Sequence, residues 1–200
     1  SSSTCTMERP SPALELGTPL IQQQNPIKTF FLYKPKEKNA YYLPYTVGVL
    51  WEYANKFDEI RQNFRLGQVI WKRDNIAETV KALCDHDIVL FSTYIWNKSY
   101  NYALAEELRA KNKNILIIFG GPEPPVSDIN FFKKFPFIDI MVKKEGEITF
   151  YNILKNIDLF PDIEIKGLLI NDKGKVLDTG ETTRINNLDE IPSPYINGFF

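Results

Sequence analysis

The 200-residue sequence predicts an α/β domain: a doubly wound sheet of five parallel strands with a β-hairpin appended at its C-terminal end. Three observations carry that expectation. Apolar runs of strand length recur along the chain and are continuous rather than alternating, as strands read when helices cover both faces. Between them lie segments whose apolar residues fall at helical spacing. Near the C-terminal end the pattern changes to two alternating runs about an Asp-Lys-Gly turn, a hairpin signature.

IKTFFLY (27–33) is the first strand; a loop containing KPKEKNAYYLP (34–44) and an apolar helix over 45–56 follow. QVIW (68–71) reads as the second strand. Asn75 starts the next helix, a capping residue with Glu78 three positions on and Ile76, Ala77, Val80 and Leu83 along one face. DIVLF (87–91) is the third strand, and the helix over 99–111 carries Leu104, Ala105 and Leu108 on one side. NILIIF (114–119) and FIDIMV (137–142) are the fourth and fifth strands. A last helix covers 147–156, and GLLINDKGKVLDTG (167–180) forms the hairpin. This alternation is that of Rossmann-like and flavodoxin-like sheets, in which ligands bind at the carboxyl ends of the strands.

Composition narrows the function classes. With 24 basic against 25 acidic residues the chain has no electrostatic case for nucleic acid or an anionic membrane. Two cysteines, Cys5 and Cys84, can build neither a disulfide framework nor a four-thiolate metal site. No apolar run approaches a membrane span, so a soluble, cytoplasmic protein is expected. The first two dozen residues are rich in Ser, Pro, Thr and Gln and show no periodicity, so 1–24 reads as a leader or vector-derived segment, disordered and outside the fold.

The informative residues are those just after each strand. The loop after the first strand has neither the glycines that cradle a pyrophosphate nor the carboxylates of a phospho-receiver site. After the third strand stand Ser92, Tyr94, Trp96 and Asn97, which either cap and pack or offer an amphipathic stacking surface. ILIIF runs straight into Gly120, Gly121 and Pro122; a doubled glycine there serves a turn of positive φ or the close approach of a ligand. After the fifth strand come Lys144, Glu145, Gly146, Glu147 and Thr149, residues that suit the start of a helix.

In this order, Ser after strand three, GGP after strand four, EGE-x-TF after strand five and NLDEIPSPY (187–195) resemble the cobalamin-binding domain of B12-dependent radical SAM enzymes. The likeness runs from residue 27 to the C-terminus, and 187–200 resembles the linker that leads into the radical SAM barrel of that family. It implies a corrin lying across the strand ends, a nucleotide tail running down beside the sheet, and Ser92 beside the dimethylbenzimidazole. The implied cofactor-binding set is Ser92, Tyr94, Trp96, Asn97, Gly120, Gly121, Pro122, Glu145, Gly146, Glu147 and Thr149, with Tyr42 and Leu43 from the loop after the first strand. Lys144 stands where the family has the first glycine of GEGE.

The family's classical members also carry a DxHxxG loop after strand one; this chain has none, as the radical SAM branch commonly lacks it. Its only histidine, His86, precedes strand three at the opposite end of the sheet and reads as a surface or partly buried structural residue. The resemblance therefore implies base-off cobalamin with no histidine below the cobalt. The three clustered cysteines that hold a [4Fe-4S] cluster are absent, so the cluster, S-adenosylmethionine and any methyl transfer or other radical reaction would belong to a downstream barrel of the same full-length protein. No catalytic residue and no metal ligand is expected in these residues. The expected division is a cobalamin-binding domain at 25–160, the hairpin at 161–186 and the linker at 187–200. The competing expectation is a small α/β binding or interaction module, including a degenerate domain without cofactor, whose glycines are turn residues only.

Overall fold

Four strands run parallel and side by side in the computed structural model: β1 (Lys28–Phe31), β2 (Ile88–Ser92), β3 (Leu116–Gly120) and β4 (Ile140–Val142). The structure describes residues 28–31, 45–67, 69–70, 75–124, 128, 130–143 and 146–181. Helices α1 (Tyr45–Ala54) and α2 (Asp58–Asn63), then α3 (Ile76–Leu83), separate β1 from β2. Helix α4 (Lys98–Lys111) joins β2 to β3, the short α5 (Phe131–Lys134) precedes β4, and α6 (Glu147–Lys155) follows it. The hairpin, β5 (Leu168–Asp172) and β6 (Lys175–Asp178), is appended to the free edge of β4, antiparallel, with Met141 opposite Leu169. Among the described residues the sheet thus has six strands, in chain order.

The α/β class stands, and the strand count needs one correction. Val69 and Ile70, the described part of QVIW, lie outside any strand; Gln68 and Trp71 fall outside the described residues. Ile70 is nonetheless buried, packed with Val80 and Leu83 of α3. Three apolar residues, Val69 to Trp71, are too short a run to distinguish a buried strand from a buried connection.

Successive side chains of the central strands point to opposite faces, and both sets are buried. Val89, Phe91, Ile117, Phe119 and Met141 face α3, α4 and α5. Ile88, Leu90, Ile118 and Ile140 face α1, α2 and α6. The sheet is therefore covered on both sides, as continuous apolar runs require. Local signals also hold: the Ala77 amide donates to Asn75 Oδ1 at 2.9 Å, so Asn75 caps α3. The hairpin turns on Lys173 and Gly174, at φ 50° and 95°.

Each connection leaves its strand at the carboxyl end, so α1, α4 and α6 begin where β1, β2 and β4 finish. That end gathers Ser92, Gly120, Val142 and the first residues of α1 and α6. No helix among the described residues is long and apolar enough to cross a membrane.

Candidate functional site

At the carboxyl ends of the strands a cleft of about 180 Å³ separates the sheet from α1 and α6. Its rim is Thr46, Ser92, Tyr94, Gly120, Gly121, Gly146 and Glu147; Leu50, Leu90, Ile118, Val142, Phe150 and Ile153 line it further in. Leu90 and Ile118 sit one pleat below Ser92 and Gly120 on the same face, so polarity falls with depth. The apolar lining was absent from the sequence-based site. The i, i+4 pair Thr46 and Leu50 and the i, i+3 series Glu147, Phe150 and Ile153 were visible, but only as one face of each helix.

The two adjacent glycines differ. Gly121 has φ +95°, and a Cβ there would stand 2.5 Å from the carbonyl oxygen of Thr93 and 2.7 Å from its amide nitrogen. Glycine is required at that position by the fold itself. At Gly120 a Cβ would meet only Val142 Cβ, at 3.9 Å, an ordinary contact, and it would project toward the cleft that Gly120 lines. Neither its backbone conformation nor any described residue keeps a side chain from that position.

The loop after β2 is tied down by two buried amides. Asn97 Oδ1 accepts from the Tyr94 amide at 2.8 Å, and its Nδ2 donates to the Ser92 carbonyl at 3.0 Å. Asn101 Nδ2 donates to Thr93 Oγ1 at 3.0 Å. Asn97 holds the N-cap position of α4 without bonding its amides, so its side chain shapes the loop and does not face the cleft. The hydroxyl of Ser92, itself 6% exposed, makes no hydrogen bond to any described residue. Tyr94 and Trp96 stack with ring centroids 4.7 Å apart and planes 9° from parallel. Tyr94 reaches the cleft, whereas Trp96, 42% exposed, and Ile95, 68% exposed, extend the apolar surface outward from it.

After β4, Gly146 begins α6, and a Cβ there would press on Leu50 Cδ2 at 3.0 Å. Glu147 lines the rim, while Thr149 is buried on α6 away from it. Pro122 is exposed and stands off the cleft. Its neighbour Glu123 pairs with Lys98 at 2.6 Å and donates its amide to the Thr93 carbonyl at 3.2 Å, joining the loops after β2 and β3. Tyr42, Leu43 and Glu145 lie outside the described residues. Of the expected set, the structure brings together Ser92, Tyr94, Gly120, Gly121, Gly146 and Glu147.

His86 is 1% exposed, a correction to the expected surface or partly buried position. Its Nδ1 donates to the Leu83 carbonyl at 3.0 Å, and it precedes β2, with the whole strand between it and Ser92. It cannot reach the cleft. The cleft is thus an apolar slot with a hydroxyl at its mouth that has no partner among the described residues, and with Gly120 on its wall.

Residues 64–154 match the family model described as the B12 binding domain. The chain is 26% identical over 159 residues to the cobalamin-dependent radical SAM methyltransferase TokK of Streptomyces tokunonensis, covering 78% of this chain and 23% of that protein. It is 25% identical to the 2-(S-pantetheinyl)-carbapenam-3-carboxylate methyltransferase of Streptantibioticus cattleyicolor, with the same coverage of 78% and 23%. The chain therefore spans about a quarter of the length of these relatives. Among solved structures it resembles the cobalamin-dependent S-adenosylmethionine radical enzyme OxsB with aqua-cobalamin bound, with TM-score 0.63 and 22% identity over 86% of this chain and 25% of the other. It also resembles the radical S-adenosylmethionine methyltransferase TsrM of Kitasatospora setae, with TM-score 0.57 and 16% identity over 76% of this chain and 30% of the other. These two likenesses speak for the fold. Residues 64–154 thus carry the match to a B12 binding domain, and the chain is similar over most of its length to the quarter-length share of a cobalamin-dependent radical SAM methyltransferase that it covers.

Proposed function

We propose that this domain holds cobalamin base-off, with the corrin across the strand ends and the nucleotide tail in the cleft beside α1 and α6. Gly120 carries the reading: it lines the cleft, and no described residue would crowd a side chain's Cβ there. Ser92 would meet the tail at the rim. Tyr94 and Trp96 would flank the corrin, and Asn97 would hold their loop in place. Gly121 would support the cleft through the backbone alone. Glu147, Gly146, Thr149, Pro122 and Glu145, with Tyr42 and Leu43, complete the proposed set.

Bound cobalamin supplies the reactivity at cobalt; the domain supplies position and surroundings. Its partner would be a radical SAM barrel of the same full-length protein, carrying a [4Fe-4S] cluster and S-adenosylmethionine, with methyl transfer or another radical reaction as the outcome. In that arrangement 25–160 is the binding domain, 161–186 the hairpin, 187–200 the linker to the barrel and 1–24 a leader or vector-derived segment, in a cytoplasmic protein.

The test is a visible spectrum after incubation with hydroxocobalamin and gel filtration. Corrin bands should elute with the protein. Elution without them overturns the reading in favour of a cofactor-free module.

A further inference from the structure

We infer that the cleft selects the tail base: it takes a base whose buried ring is hydrocarbon, as in a benzimidazole, and discriminates against a purine. The inference rests on the proposed tail site. A cavity of about 150 Å³ lined by Leu, Ile and Phe accepts benzene and stays dry otherwise. At about 180 Å³ and open at its mouth, this cleft has the size for one flat aromatic system entering from the rim.

The polar groups that could meet such a base lie at the mouth, where Ser92 ends β2 and Glu147 starts α6. Deeper in, Leu90, Ile118, Phe150 and Ile153 are 6%, 1%, 3% and 1% exposed and present only hydrocarbon. Backbone groups offer nothing there either: β2 and β3 are each paired on both sides, and Phe150 and Ile153 lie within α6.

In both kinds of base, the five-membered ring is attached to the ribose and the six-membered ring leads into the cleft. In dimethylbenzimidazole that leading ring carries two methyl groups. In adenine it carries an amine and two ring nitrogens, which would lose water and find no partner among the described residues. Leaving such donors and acceptors unpaired should weaken binding roughly ten- to a hundredfold.

The experiment titrates the protein anaerobically with three reduced Co(I) corrinoids: cobalamin, its adenine-tailed analogue and tail-less cobinamide. Co(I) is four-coordinate, so every form is base-off in solution and the comparison reads the cleft alone. Ultrafiltration gives bound and free ligand. Cobalamin should bind at least tenfold more tightly than the adenine form, which should bind no better than cobinamide. An adenine form within threefold of cobalamin would overturn the selectivity while leaving cobalamin binding intact. Cobinamide binding as tightly as cobalamin would show that the tail does not use the cleft, again without touching the domain's role. Binding of none of the three would overturn the proposed function, and this inference with it.

Discussion

On the α4 side of the sheet, Phe91 and Phe119 stack at 4.6 Å, and Tyr102 stacks on Phe119 at 5.5 Å and on Phe135 at 4.2 Å. One residue further along the same two strands, the chain presents Ser92 and Gly120 to the α1 and α6 side, and there the cleft opens. The two faces share strands, register and twist; they differ in the volume of the side chains at the strand ends. One face is filled by aromatic rings. The other stops filling where the strands stop, and the space continues down onto a hydrocarbon floor. The cleft therefore opens where small residues stand at the ends of two adjacent strands.

Breaking the closed face should have the largest effect. Phe119→Ala removes a fully buried ring, and urea unfolding of the apo protein should show a loss of about 3–5 kcal/mol. A loss under about 1 kcal/mol would mean that this face is not tightly packed. Gly121→Val comes next, at about 3 kcal/mol from an unfavourable φ and contact with the Thr93 backbone. Its remaining folded fraction should keep its cobalamin affinity, and selective loss of affinity would move Gly121 from the fold to the site.

Tyr94→Ala and Trp96→Ala probe the open face beyond the cleft. Each should weaken cobalamin binding by about 1–3 kcal/mol with little change in unfolding. Unchanged titrations for both variants would remove the aromatic pair from the site. The smallest effect is expected at His86, on the far end of the sheet. His86→Gln should leave the visible bands of bound cobalamin, and the Co(II) paramagnetic resonance spectrum, unaltered; a shifted band or lost nitrogen splitting would contradict base-off binding without histidine.

Much of this contrast was legible in the sequence. Continuous apolar runs gave the buried parallel strands, Asn75 gave a cap that forms, and the strand-end rule led to Ser92 and Gly120. The QVIW run misled because a short apolar stretch packs equally well without a strand ladder. Helices α2 and α5 went unread because six and four residues hold too little periodicity. The difference between Gly120 and Gly121 was out of reach, since it depends on the Thr93 backbone, brought close only by the β2–β3 pairing. Asn97 looked like a cap or a ligand; its amide serves the loop instead, a choice made by the fold of residues 92–97 onto themselves. The cleft floor was hidden for a related reason: its residues are ordinary core types, and only the packing of α1 against α6 leaves them unfilled above.

The central claim is that the open face at Gly120 is the cofactor site, and Gly120→Val tests it most directly. The variant places a branched side chain in the cleft, where its Cβ would meet only Val142 among the described residues. Apo unfolding should stay within about 0.5 kcal/mol of the parent, while cobalamin affinity should fall at least tenfold. Unchanged affinity in a variant that folds as stably as the parent would contradict the account.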